Sequence, residues 1–314
     1  MHPVSSPDSR FLDSFANEVS KAKIDYCEIR QGDAVLFAHC RDPHNPGKLH
    51  KVNSITKSVV SLLIGIAIDR GELENVHTAV SDYIPSCERQ DLTIEHLLTM
   101  TDGWDWREWG DWGGLPKPMT GSPNWIRYIV DREIVHPAGR HMAYSSGSSH
   151  LLSAILQKAT GMTTDKYAER HLFGPLGIEE YRWQSDPQGI VIGGFSLELP
   201  AADITKLGLL ALNNGRWNGR SVVSSEWIGQ STRPLYLTYP HVGHYGYHWW
   251  VLPAPNGGAP RIPTVFFAMG YGGQFLYVVP EHRLVAAFAS SLYKDSFLPH
   301  RLFLSQLLPA FERK

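Results

Sequence analysis

The sequence predicts an α/β fold of the α+β kind: an antiparallel sheet built from both chain ends and flanked by helices, with a mainly helical lobe inserted between its two parts. Three observations lead there. β-like runs sit near the start of the chain and in its last quarter. The stretch between them reads as helical pieces joined by long loops. One helix, 54–70, is apolar on nearly every face and therefore belongs at the centre of the protein. The expected boundaries are 1–84 and 200–314 for the sheet lobe and 85–199 for the helical lobe, together one unit. A chain of 314 residues is long enough for one large domain or two intimately packed lobes.

Taken in order, 11–22 reads as an amphipathic helix. Two short strands, 25–30 and 34–38, follow with Gln31-Gly32-Asp33 as the turn between them. The helix 54–70 is stopped by Gly71. Another begins at Asp91 and runs through Leu98, followed by a Trp- and Gly-rich loop, 103–121. Helices are expected over 148–160, ended by Gly161, and over 199–213. The chain then returns to strands at 246–251, 264–268, 274–279 and 284–290, and a helix at 299–311 closes it. A crevice between two such lobes is where a site is expected.

Composition narrows the function classes. Hydrophobic residues make up 43% and charged residues 19%, which supports a sizeable core and argues against disorder. The formal net charge is -2, with no basic run or stripe, so nucleic acid is not an expected partner. Cys27, Cys40 and Cys87 form no CxxC pair, so neither a structural zinc nor a disulfide framework is suggested. His241, His244 and His248 run into a strand, where i, i+3 and i+7 do not share a face, so no metal is expected. The longest apolar run, 59–68, is interrupted by Ser61 and Gly65 and is too short to span a bilayer. No basic start leads into an apolar stretch, so no signal peptide is read. The expectation is a cytoplasmic protein with no membrane partner and no cofactor. The sequence does not speak to oligomeric state.

Three segments carry chemistry. Ser54-Ile55-Thr56-Lys57 stands at the head of the buried helix. Residues i and i+3 share a helix face, so hydroxyl and amine can meet. Apolar surroundings disfavour the ammonium form and let the lysine accept a proton. Unpaired N–H groups and the positive dipole end at the helix start favour an oxyanion near Ser54. The second segment is Ala143-Tyr144-Ser145-Ser146-Gly147, placed after the turn His136-Pro137-Ala138-Gly139. A tyrosine beside a lysine cation is expected to have a lowered pKa and to relay a proton. The third is Ala268-Met269-Gly270-Tyr271-Gly272-Gly273-Gln274 at a strand edge, where small residues let backbone approach a ligand. Each alone has a plainer explanation: an N-cap serine, a capping cluster beside a core tyrosine, a glycine-rich turn. Trp104, Trp106, Trp109 and Trp112 either line an acyl pocket or anchor their loop. Asp105, Glu108 and Asp111 alternate with them and read as a solvated face.

Together and in this order, the three segments resemble the serine β-lactamase and penicillin-binding-protein-like superfamily. The flavour is that of its class-C-like hydrolase branch, which includes family VIII esterases, D-aminopeptidase-like enzymes and nylon-oligomer hydrolases. Segments 97–103, 203–208 and 213–219 also look familial. The resemblance implies a β-lactamase/transpeptidase-like fold with Ser54 as the acylated nucleophile. It implies that Lys57 and Tyr144 share base and acid work, and that the Ser54 and Tyr271 N–H groups form an oxyanion hole. Gly270, Ser146 and Met269 are expected in substrate binding. The implied substrate is a small ester or amide. One departure matters: lactamases and carboxypeptidases usually carry Lys-Thr-Gly or His-Thr-Gly where this chain has Ala268-Met269-Gly270. A charge-assisted contact is worth about 1.5–3 kcal/mol, so carboxylate recognition should be weakened unless Arg107 or Arg261 supplies it. Ser146 stands where Asn is common and has less reach. The expected function is thus a carboxylesterase- or amidase-like serine hydrolase. The alternatives are a penicillin-interactive DD-peptidase or weak β-lactamase, and a non-catalytic binding or sensor member of the fold.

Overall fold

The computed structural model describes residues 9–108, 117–239, 242–254 and 264–312. Among the described residues eight strands form one sheet: β1 (Ile24–Gln31), β2 (Ala34–Cys40), β3 (Tyr236–Leu237), β4 (His244–Tyr245), β5 (Trp250–Val251), β6 (Phe266–Gly270), β7 (Gln274–Val279) and β8 (Leu284–Ser290). Their spatial order is β2-β1-β8-β7-β6-β5-β4-β3. The described pairings are antiparallel. The two chain ends meet one strand in from an edge, where β1 lies beside β8 with Glu28 opposite Ala287 and Arg30 opposite Val285. The expected antiparallel sheet from both ends, flanked by helices, is therefore the fold.

The central strands β7 and β8 are buried on both faces, and strand alternation sorts their side chains. Leu276 and Val278 of β7, with Val285, Ala287 and Ala289 of β8, join one core. The helices α2 (Ile55–Asp69), α3 (Ser146–Thr160) and α4 (Ala201–Leu212) feed that core. Phe275, Tyr277, Ala286 and Phe288 join the other, with Phe15 and Val19 of the first helix, α1 (Ser9–Lys21). The final helical stretch, Leu298–Glu312, adds Phe303, which stacks on Tyr277 at 3.8 Å between ring centroids. Residues 55–67 of α2 are all buried, as its all-round apolar sequence requires. Gly65 makes room for this, since a Cβ there would lie 2.4 Å from the Trp227 ring.

Three sequence expectations need correction. The strand expected over 246–251 is instead the second half of a hairpin. Gly246 N donates to Trp249 O at 2.8 Å, and the turn separates β4 from β5. The strand expected over 264–268 starts at Phe266 and runs to Gly270, so Ala268-Met269-Gly270 is the strand's end. That strand is fifth across the sheet rather than an edge strand. Its last three residues pair with β7, whereas β5 pairs only with Phe266 and Phe267, so an edge is opened locally. The helix expected from Ser148 starts at Ser146, because Ser145 caps it by accepting from Ser148 N at 3.1 Å. Among the described residues no helix is long and apolar enough to cross a membrane.

Candidate active site

Ser54 is the N-cap residue of α2, and its side chain makes no capping hydrogen bond, so the hydroxyl is available for other work. Asn53 before it has φ +48°, a left-handed conformation that asparagine tolerates better than most residues. Its Nδ2 donates to Tyr271 O at 2.6 Å, tying the helix head to the end of β6. Gly270 closes the same junction. A Cβ on it would stand 2.3 Å from Val52 O and 3.0 Å from Ser54 N, so only glycine lets the strand lie this close. Among the described residues, neither Ser54 N–H nor Tyr271 N–H donates to a backbone carbonyl or a side chain.

Lys57, one turn on and 1% exposed, reaches back to Ser54 with Nζ 3.2 Å from Oγ. The same nitrogen donates to Ser146 Oγ at 2.9 Å and to Gly194 O at 2.6 Å. Burial, opposed in part by Glu108, brings the Lys57 pKa down to about 8. Tyr144 lies beside this pair. Its ring centroid is 4.9 Å from Lys57 Nζ, its hydroxyl shares a hydrogen bond with Ser54, and its ring stacks on Trp250 at 5.6 Å. Contrary to the sequence expectation, burial pushes the Tyr144 phenol well above the ordinary tyrosine range; the Ser54 hydrogen bond only partly offsets it. Desolvation of the phenolate, reinforced by the nearby Glu108 charge, decides the direction.

The acidic residues of the Trp-rich loop also need correction. Glu108 is no solvated face: it is 4% exposed, and its carboxylate accepts Ser146 N at 2.9 Å, Trp106 Nε1 at 2.8 Å and the Ser146 hydroxyl. Asp105 is half-buried beside Arg132 and Arg107, and Asp111 lies outside the described residues. Trp104 is a core anchor against Arg89, whereas Trp106 lines a pocket; Trp109 and Trp112 lie outside the described residues. His248 is buried with Nε2 3.0 Å from Ser149 Oγ, and burial, reinforced by Lys57, lowers its pKa to about 3. His244 is buried, and His241 lies outside the described residues. Among the described residues no group of three or more His, Cys, Asp or Glu side chains could hold a metal ion.

Ser54 opens into a pocket of about 580 Å³ walled by Tyr144, Met269, Tyr271, Phe275 and Phe297. A second pocket of about 490 Å³, holding Trp106, Arg107 and Glu108, shares Tyr144 and Tyr239 with it. Strand alternation turns Ala268 into the core and leaves Met269 on the pocket. Arg107 belongs to the second pocket and Arg261 lies outside the described residues, but two cations that sequence reasoning missed reach the Ser54 pocket. Arg301 is bound to Asp295 by two contacts of 3.0 and 2.6 Å, and Lys294 is exposed at the rim. Gly194 was also missed. Its signal is the pair Gly193-Gly194: a Cβ on Gly194 would sit 2.8 Å from Ser146 Cβ, so the pair marks a close backbone approach.

Comparison with known proteins agrees with this architecture. A family model described as Beta-lactamase matches residues 26–304. The 6-aminohexanoate-dimer hydrolase of Paenarthrobacter ureafaciens is 21% identical over 282 residues, which is 81% of this chain and 69% of that protein. The solved structure of EstCE1, a hydrolase with promiscuous acyltransferase activity, superposes with a TM-score of 0.79 at 15% identity, covering 97% of this chain and 98% of that one. A class C beta-lactamase from Rhodobacter sphaeroides superposes with a TM-score of 0.72 at 16% identity, covering 98% of this chain and 100% of that one.

Proposed function

The chain belongs to the beta-lactamase family, and from that premise we propose that it is a serine hydrolase cleaving small esters or amides through an acyl-enzyme on Ser54. The observation that carries this reading is the contact of 3.2 Å between Ser54 Oγ and the buried amine of Lys57. Ser54 Oγ attacks the substrate carbonyl carbon, and its proton passes to neutral Lys57. The carbonyl oxygen takes the negative charge and is held by the Ser54 and Tyr271 N–H groups, which Gly270 keeps close together. The scissile bond then breaks. The departing alkoxide or amine takes a proton from the Tyr144 phenol, which Lys57 re-protonates. Water attacks the acyl ester by the reverse route, releasing the carboxylic acid and restoring Ser54. Lys57 is the primary base in this scheme, because the raised Tyr144 pKa keeps that phenol protonated near neutrality.

The pH dependence follows. With its pKa lowered to about 8, Lys57 is a cation below that pH and a base above it. kcat/KM for an ester should therefore rise through about pH 8 and level off above. Initial rates across a buffer series measure this, and a flat profile through that range would contradict Lys57 as the base.

The pocket orders the substrates. Met269 and the surrounding aromatic rings suit an uncharged acyl or alkyl group, and Ala268 and Met269 offer nothing to a ring carboxylate. The Asp295 carboxylate occupies Arg301, which leaves Lys294 at the rim. Short-chain p-nitrophenyl esters should be hydrolysed with far higher kcat/KM than nitrocefin. An equal or higher nitrocefin value would instead favour the penicillin-interactive reading, with Lys294 as the carboxylate's partner.

A further inference from the structure

We propose that Glu108 is a positioning residue that fixes which way the Ser146 hydroxyl points and so aims the Lys57 lone pair at Ser54. The inference rests on the reading of Ser54 as nucleophile and Lys57 as base. It starts from the count of donors and acceptors around one buried nitrogen. A neutral lysine amine has two N–H bonds and one lone pair. Gly194 O is a carbonyl and can only accept, so its contact of 2.6 Å consumes one N–H. Ser146 Oγ carries a single hydrogen. That hydrogen goes to the Glu108 carboxylate, so Ser146 faces Lys57 as an acceptor and consumes the second N–H at 2.9 Å. The third direction at Nζ, toward Ser54 Oγ at 3.2 Å, is left for the lone pair. The proton acceptor is thereby committed to the nucleophile before substrate arrives.

Glu108 is itself held rigidly. One carboxylate oxygen accepts both Ser146 N at 2.9 Å and Trp106 Nε1 at 2.8 Å, which leaves the other for the Ser146 hydroxyl. This division makes the isosteric variant informative. In Glu108→Gln, the two N–H donors hold the amide oxygen on their side and turn the amide NH2 toward Ser146 Oγ. The NH2 then donates, and the Ser146 hydrogen turns to the Lys57 lone pair and diverts it from Ser54. A second consequence is electrostatic. The titratable groups whose charges interact in this cluster are Lys57, Glu108, Tyr144, Tyr239, Tyr245 and His248. The Glu108 charge holds the Lys57 pKa up against burial, so removing it lowers that pKa further.

The test is the rate at which a fluorophosphonate labels Ser54, followed by mass spectrometry across pH, in the unmutated protein, Glu108→Gln, Ser146→Ala and the double variant. In Glu108→Gln the high-pH plateau should fall by about ten- to a hundredfold, and the rise with pH should move to lower pH. Ser146→Ala should lose a similar factor in plateau. Because Glu108 acts through Ser146, adding Glu108→Gln to Ser146→Ala should cost little more in plateau. A Glu108→Gln plateau equal to the unmutated one overturns the proposal, and so do losses that multiply in the double variant. If Glu108→Gln does not fold, as judged by its melting transition, Ser146→Ala alone decides, and an unchanged plateau there overturns it. Failure of the unmutated protein to label Ser54 overturns the serine reading and the Glu108 role together, whereas labelling unaffected by Glu108 overturns only the latter.

Discussion

Ser54→Ala is expected to reduce ester turnover by roughly 10⁴-fold or more while leaving the fold and its melting temperature nearly unchanged. The two parts of this expectation come from different observations. Activity is lost because the attacking oxygen itself is removed, and no other serine described beside Lys57 is free to replace it. Ser146 also touches Lys57, but it is buried, and its hydrogen is engaged by Glu108. Stability is kept because the Ser54 side chain does not cap α2, and its loss removes only the contacts to Lys57 and Tyr144. The measurements are kcat/KM on a p-nitrophenyl ester, a thermal melt, and the site of fluorophosphonate attachment. Label on a different serine, or turnover surviving in the variant, would refute the assignment.

The second large effect is expected of Lys57 and Tyr144 acting, as proposed, as one proton-transfer unit. Lys57→Ala and Tyr144→Phe should each lower kcat by roughly 10²–10⁴-fold, with the double variant losing less than the product of the two. The Lys57 amine lies over the Tyr144 ring at 4.9 Å, and both groups contact Ser54, so removing either one breaks the same relay. Tyr144→Phe keeps the stack on Trp250 and is the cleaner probe. Lys57→Ala opens a cavity and leaves Gly194 O without this donor, so its rate must be read beside its melting curve. Strictly multiplicative losses would mean that the two residues serve separate steps.

Much of this was legible in the sequence, for reasons that can be given residue by residue. The all-round apolar stretch after Ser54 specifies a central helix, and i, i+3 spacing on it places Lys57 over Ser54 without any long-range information. The turn before Tyr144 and the glycines after Met269 marked the other two walls. What escaped were features set by tertiary packing. Glu108 alternates with tryptophans in a polar loop, and nothing local says that its carboxylate is folded inward onto the start of α3. The direction of the Tyr144 shift depends on how completely Trp250 and Tyr245 cover the ring, which spacing cannot reveal. Lys294 and Arg301 enter the pocket only because the segment after β8 folds back beside the end of β6.

If Ser54 is the nucleophile proposed above, the tether from Asn53 to Tyr271 bears on when it becomes reactive toward its surroundings. The two residues are separated by 218 positions, and Lys57 reaches its other partners 89 and 137 positions away. During synthesis, Ser54 and Lys57 leave the ribosome early, long before Gly194, Gly270 or Tyr271 exist. Until β6 docks against the helix head, the lysine has no burial to strip its proton and the serine has no second amide beside it. On the proposed mechanism the growing chain therefore carries an inert hydroxyl, and reactivity would switch on with closure of the sheet. Contacts of such long range carry the largest loop-closure cost, so on the proposed mechanism acylating power would mark completion of the whole molecule.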